Sequence, residues 1–375
     1  MASRQLRTSR RTQYSRTAIL GVLTALAACQ SEPDDTVVRA PALVADGATI
    51  DSLFPSSITF PLAEDSLHLF GAFGGASGVT SNGEIVLADE IMKEVRMYSS
   101  DGASVAALGK VGAGPGEYRG PSGIAISPFS DAIGIVDGPS RKVLIYPGGS
   151  SEATMTRVVR VPGLAGMTML FGPGDSILLL GSGVVGPTAA SVFDGAVLRI
   201  PQDPDSEVPA PRMLLPRRRE HSRPFAHLFV RGHGTQTRDF AYLAHNLSQV
   251  LYRVRFNGDV IDSIQIPNAV YSSPQVPDSL PAGRSAITDA FRALPRFDRV
   301  VAVNDSIFIL EFRIYSAARA EWRGRLALLR WTSDPTIMVT DSCDCRILGA
   351  AGDSIATFTG GAERGYWASW RRLPQ

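Results

Sequence analysis

Along most of this chain hydrophobic residues fall in short runs bounded by Asp, Ser, Asn or Gly, the pattern of brief β-strands closed by turns. The run Gly83-Glu84-Ile85-Val86-Leu87-Ala88-Asp89 sets the template, a turn pair followed by a β-branched apolar segment. It returns at Asp131 to Asp137, Asp175 to Leu180, Asp239 to Ala244, Asp305 to Leu310 and Asp353 to Phe358. Each copy has one anchor, and the six are Ile85, Ile133, Ile177, Ala241, Ile307 and Ile355. Three of the intervals between them fit a repeat of roughly 40 to 50 residues, which predicts six sheets of four strands, and the two longer intervals hold insertions. Helical periodicity is almost absent.

The first repeat shows how one unit is built. Gly78 to Ser81 supplies its first strand, Glu84 to Asp89 the second, Glu94 to Ser99 the third and Ser104 to Leu108 the fourth, with Asp101-Gly102 as the last turn. The fourth repeat keeps this layout, since Ala244 stands as far before Gly258 as Ala88 before Gly102, and Asn257-Gly258 replaces the Asp-Gly pair.

The best-formed unit reads Gly109-Lys110-Val111-Gly112-Ala113-Gly114-Pro115-Gly116-Glu117-Tyr118, then Pro121-Ser122-Gly123-Ile124-Ala125-Ile126, then Ile133 to Asp137 and Arg141 to Tyr146. This resembles the NHL-type repeat of six-bladed β-propellers, in which a Gly-rich loop ending in Gly-x-aromatic leads into Pro-x-Gly-Ile, a strand ending in Asp, and a basic-apolar strand. The motif match covers the stretch 70–150, and from 160 onward the strand rhythm alone continues. The resemblance implies an all-β, six-bladed propeller with four-stranded blades.

A ring of sheets must also close without an open edge. The C-terminal unit supplies three strands, near Arg346 to Gly349, Asp353 to Thr359 and Tyr366 to Arg371, and lacks a fourth. The segment Ser57 to Phe70, apolar at Ile58, Phe60, Leu67 and Leu69, is the expected replacement, donated from the N-terminal side.

The N-terminal segment, Met1 to Ala28, follows a different logic. Met1 to Arg16 is Arg-rich and free of acids, and Ala18 to Ala28 is apolar or small apart from Thr24, the n- and h-regions of an export signal. The apolar run is too short to span a bilayer as a helix, which takes about 20 residues. Leu26-Ala27-Ala28-Cys29 resembles the lipobox of bacterial lipoproteins, which implies cleavage before Cys29 and lipid on its thiol. In such lipoproteins Asp after the Cys favours inner-membrane retention, and Gln30 here implies the outer membrane, facing the periplasm. The expected organisation is a signal peptide over 1–28, a flexible polar tether over 29–55 and the propeller over 56–375. No other stretch reaches the roughly 18 consecutive apolar residues of a membrane span.

Charge removes one class of partner. Arg4, Arg7, Arg10, Arg11 and Arg16 all precede Cys29 and no Asp or Glu does, so the rest of the chain is slightly acidic. Nucleic acid is not an expected partner. Membrane attachment falls to lipid on Cys29.

In a propeller of this topology the ends of the second strands and the starts of the first strands open on one face. At the equivalent place beyond each anchor stand Asp89, Asp137, Gly181, His245, Glu311 and Thr359. Asp89, Asp137, His245 and Glu311 carry acid/base or ligating groups, so they could gather at the mouth of a central channel. Equally, Asp at such a position accepts backbone amides and caps the turn that follows. His245 and Glu311 depart from the Asp pattern and stand out as the more specialised pair.

Four of the five histidines, His221, His227, His233 and His245, lie in the fourth repeat without a His-x-x-x-His spacing. Arg217, Arg218, Arg219 and Arg223 sit in a loop on the same face, either as a solvated run or as a cradle for a carboxylate, phosphate or sugar acid. The insertion 267–295 contains an amphipathic helix from Ser285 to Leu294 that could plug or cover the channel. Cys343 and Cys345, two apart, point to opposite faces of a regular strand, so a bridge between them requires a kink. Nucleophile-elbow, phosphate-loop and dinucleotide motifs are lacking.

These features favour a binding module for a protein, peptide or glycan at the channel mouth, without an expected cofactor. The enzymatic alternative, drawn from propellers of similar fold, is a metal-dependent hydrolase or lyase, lactonase-like or peptide-processing, with Ca or Zn held by His245 and Glu311. A third reading is a scaffold within a larger envelope assembly.

Overall fold

Each apolar run forms the second strand of an antiparallel sheet, and every anchor but the half-buried Ile307 is enclosed. Ile85, Ile177, Ala241 and Ile355 are fully enclosed and Ile133 nearly so. The computed structural model describes residues 38–62, 73–114, 116–148, 157–160, 167–174, 176–181, 196–199, 212–213, 232–246, 249–274, 279, 282–316, 321–361 and 365–374.

Six sheets of four or five strands follow one another around the chain. Their innermost strands are Phe73–Val79, Pro121–Ile126, Met167–Phe171, Gly232–Gln236, Arg296–Ala302 and Arg346–Ala351. Each packs on the innermost strand of the next blade, and the sixth packs on the first, so the ring is closed. The fold is a β-propeller. The innermost strand of blade one begins at Phe73, earlier than expected from Gly78. Its sequence Phe-Gly-Gly-Ala-Ser-Gly-Val lacks the apolar alternation that marks a strand.

Closure works as the sequence implied for the described part of the segment Ser57 to Phe70, while Leu67 and Leu69 lie outside the described residues. Blade six supplies Arg346–Ala351, Ser354–Gly361 and Gly365–Arg372. Its fourth strand comes from the N-terminal side at Ser56–Pro61, antiparallel to Gly365–Arg372 with Trp367 opposite Pro61 and Arg372 opposite Ser56. Phe60 and Leu62 sink between blades six and one with Leu87, Tyr98, Leu348 and Phe358. Two glycines make this seam possible. Gly102, at φ +89°, lets the last turn of blade one approach the closing strand, and a Cβ there would stand 2.4 Å from the Pro61 carbonyl oxygen. On the inner side, a Cβ on Gly349 would stand 2.6 Å from Val79.

The expected tether over 29–55 is corrected for its described part. Strand β1 (Val38–Arg39) pairs in parallel with the outer strand of blade four, and β2 (Ala42–Ala48) with that of blade five. The short helix α1 (Ile50–Leu53), capped by the Thr49 side chain, then seats Leu53 and Phe54 between blades five and six. This belt is held by backbone pairing and ion pairs, Arg39 with Asp262, Asp46 with Arg325 and Asp51 with Arg371. Its strand side chains are mostly exposed, so no hydrophobic rhythm announces it.

Helix α2 (Arg284–Ala293) occupies the predicted place in the insertion and packs on the second strand of blade five. None of its described residues lines the channel. Cys343 and Cys345 form a disulfide. The chain bends at Asp344, and the Cα atoms lie 5.3 Å apart where a straight strand would separate them by about 6.6 Å. The kink that a bridge requires is therefore present.

Candidate functional site at the channel mouth

The innermost strands enclose a central channel of about 1070 Å³. Pairing registers place one set of residues at the same end of each of four blades. Phe73 lies opposite Asp89, Pro121 opposite Asp137, Gly232 opposite His245 and Arg299 opposite Glu311. The four residues thus hold equivalent register positions, but none of them lines the channel, and each does something different.

Asp89, buried at the strand end, accepts the amides of Ile91 and Met92 through Oδ1 at 2.8 and 2.9 Å. It caps the following turn. Asp137, also buried, accepts the amides of Arg119 and Gly120 at 3.0 and 3.2 Å and so moors the loop that leads into blade two. In that loop the Tyr118 hydroxyl accepts the Val95 amide at 2.9 Å, locking blade two to blade one. These two aspartates build the scaffold. His245 is buried at the end of its strand in blade four.

Glu311 does something else. Its carboxylate has no solvent exposure, accepts Nε of Arg346 through Oε1, and takes the Ile347 amide on Oε2 at 3.0 Å. Both oxygens are engaged by blade six, in place of the cation that the enzymatic reading assigned to them. The described residues contain no grouping of three or more His, Cys, Asp or Glu that could hold a metal ion. Arg217, Arg219 and Arg223 lie outside the described residues.

Around Glu311 the structure gathers residues that the sequence did not single out. Asp298, on the innermost strand of blade five, lies 3.4 Å from Arg313 and 3.7 Å from Arg346. Arg313 and Arg346 keep about a fifth of their side chains exposed, toward the channel they line. The Arg346 guanidinium sits 5.2 Å over the ring of Phe73, which packs on Phe358, itself stacked on Tyr366. Arg296, Phe73 and His233 complete this part of the wall.

Arg299 turns to the neighbouring blades. Its two terminal nitrogens donate to the carbonyls of Ile347 and Leu348, both at 2.9 Å, and to Gly75 and Ser77 of blade one. Burial pushes its pKa down to about 10, still well above neutrality, so it stays charged. Arg313 is also lowered, by burial first and then by repulsion from Arg346. For Arg346, burial disfavours the charge, but Glu311 and Asp298 outweigh it and its pKa stands above the ordinary arginine value. The signal that could have exposed this cluster is the sequence Arg296-Phe297-Asp298-Arg299, three charges just ahead of the fifth repeat, where its first strand has to lie.

Residues 79–157 match the family DUF5128, described as a 6-bladed beta-propeller. Among solved structures, a protein from Bacteroides fragilis, provisionally described as exported, aligns with TM-score 0.60 and 11% identity over 90% of this chain and 100% of its own. A DUF4221 member from Bacteroides vulgatus aligns with TM-score 0.54 and 11% identity over 86% and 97%. A virginiamycin B lyase from Staphylococcus aureus gives TM-score 0.46 and 12% identity over 85% and 99%. No curated protein matches the chain. At these identities the likeness is one of fold. The sheets, the closed ring and the matched repeat agree on an all-β, six-bladed propeller.

Proposed function

We propose that this protein is an exported binding module, an NHL-type propeller held to the outer membrane by lipid on Cys29 and presenting the channel mouth to a protein, peptide or glycan in the periplasm. One observation carries the reading. The channel, with a volume of about 1070 Å³, has room for part of a chain-like ligand, and its wall mixes cationic, acidic and aromatic side chains around Arg346, Arg313, Asp298 and Phe73. A site built this way recognises by shape and charge and needs no reacting group. The hydrolase or lyase alternative assigned a cation to Glu311, whose two oxygens accept from Arg346 and the Ile347 amide.

The test uses the full-length protein on peptide and glycan arrays, beside Ser122→Trp, which places a large ring at a channel-lining, exposed position of blade two. Saturable binding that Ser122→Trp abolishes, with its melting curve unchanged, is the expected result. Binding that survives the substitution would move the ligand elsewhere. Metabolic palmitate labelling, lost in Cys29→Ala together with membrane partitioning, checks the anchor.

A further inference from the structure

We infer that the channel carries a second site at the end opposite the mouth, where Phe129 and Arg238 take one unit of a neutral sugar chain. The Phe129 ring would lie against the C–H face of the sugar and Arg238 against its hydroxyl edge. This site stands or falls independently of the channel-mouth reading.

Place is the first argument. The innermost strand of blade two runs from Pro121, opposite Asp137 at the mouth, to Ile126, opposite Ile133. That of blade four runs the same way, from Gly232 to Gln236. The turns beyond these strands bring Phe129 and Arg238 to the far rim, and both line the channel. Nε of Arg238 donates to the Pro128 carbonyl at 3.2 Å, which sets the guanidinium beside the loop that presents Phe129.

Rigidity is the second. Phe129 is 42% exposed, a large ring left in water, yet its loop is braced by three blades. Ser127 accepts the Phe129 amide on its hydroxyl at 3.2 Å and the Asp131 amide on its carbonyl at 3.0 Å. Asp131, in the left-handed region at φ +55°, receives the Ser81 amide of blade one at 2.8 Å. From blade four, Gln236 donates to the Ile126 carbonyl at 3.1 Å, and Phe256 meets the Phe129 ring edge-on with centroids 6.5 Å apart. A ring ordered in advance offers apolar area without an ordering cost when a ligand arrives.

Chemistry is the third. Arg238 and Asp131 are the charged side chains lining this end among the described residues, one of each sign, so net charge selects neither an anion nor a cation. Both Asp131 oxygens are engaged by Ser81, whereas the terminal nitrogens of Arg238 meet no acceptor among the described residues. The rim thus offers an apolar ring and spare donors. A pyranose supplies the complement, a face of C–H groups and an edge of hydroxyl oxygens. A peptide strand also presents amide N–H groups, for which the Asp131 carboxylate is already spent.

The full-length protein is titrated calorimetrically with cellotetraose, maltotetraose and tetra-N-acetylchitotetraose, and with tetraalanine as a neutral peptide. At least one oligosaccharide is expected to bind. Phe129→Ala should weaken it by about tenfold or more, Arg238→Gln should weaken it several-fold, and Phe129→Trp should retain it. Ser122→Trp, at the mouth, and Ile261→Ala, which trims a 39% exposed side chain on the outer strand of blade four, should leave it unchanged. Oligosaccharides that fail to bind, or that bind Phe129→Ala as tightly as the parent, overturn the site, and Phe129-dependent binding of tetraalanine instead overturns the sugar assignment. A ligand lost in Ser122→Trp and kept in Phe129→Ala upholds the mouth and not this site, and the reverse pattern upholds this site and not the mouth.

Discussion

Arg299, on the innermost strand of blade five, donates to both the hydroxyl and the carbonyl of Ser77, on the innermost strand of blade one, across the intervening strand of blade six. The same guanidinium holds the Ile347 and Leu348 carbonyls of blade six. One side chain thereby ties three blades at the point where the ring joins its own beginning.

Replacing Arg299 with Ala leaves several carbonyls of the channel wall without their donor. A loss of at least about 3 kcal/mol is expected, since each hydrogen bond to a charged group contributes about 1.5–3 kcal/mol. Arg299→Lys should recover only part of it, because an ammonium cannot span the same acceptors. Urea unfolding of the three proteins measures the difference; equal midpoints would show that the staple contributes nothing.

The closing strand offers a matched pair of sites. Phe60 is 8% exposed between blades six and one, and Ile58, two positions earlier on the same strand, is 71% exposed. Phe60→Ala should cost about 3–5 kcal/mol, and Ile58→Ala within about 0.5 kcal/mol. Similar losses at both positions would mean that this strand does not seal the seam.

Alkaline pH should unfold the protein through its tyrosines. Burial pushes Tyr146 and Tyr242 up to about 12, and Tyr118 and Tyr271 higher still. The unfolded chain ionises these groups near 10, so their neutral form supports the fold fully below that pH and the support is lost as pH rises through 12. Arg299 acts the other way, since its folded pKa near 10 lies below its unfolded 12.5 and stability gains as it discharges. Four tyrosines outweigh one arginine, and stability should fall over pH 10–12 by up to about 2–3 kcal/mol for each tyrosine. Tyr146→Phe and Tyr242→Phe should each flatten that decline in pH-dependent melts.

The Cys343–Cys345 bridge closes a very short loop, so it removes little freedom from the unfolded chain. Cys343→Ser with Cys345→Ser should cost only about 1–2 kcal/mol. Reductant should lower the melting temperature of the parent protein to that of the double variant and leave the variant unmoved.

The blades were legible because each second strand repeats its apolar core and its turn residues, at an interval of roughly 40 to 50 residues that two insertions lengthen. Ile58 and Phe60 likewise betrayed the closing strand, although only Phe60 is buried. Strands β1 and β2 were hidden because they join the outer edges of blades four and five through backbone groups, leaving side chains without a buried face to pattern. At the site, Glu311 was found by position and misjudged in role. Its partners Arg346 and Ile347 lie far along the chain, in the next blade, and only the register between blades brings them together. Asp89 and Asp137 illustrate the reverse, residues with the chemistry of ligands that accept backbone amides instead, Asp89 through Oδ1 and Asp137 through both oxygens. The Arg299 cluster escaped notice for a physical reason. A charge on an inner strand is favourable only where a ring leaves a wet hole in its centre, and no local pattern encodes the hole.

The pairing of Ser56–Pro61 with Gly365–Arg372 joins the start of the propeller to its end. A ribosome releases the first segment long before the second, and five sheets can be assembled while the sixth still waits for its final component. Until that moment the early segment is a bare sticky edge, open to mispairing with other chains. Folding is therefore gated by the last hairpin to appear, and a prematurely stopped translation product would yield an unsealed ring rather than a smaller working one.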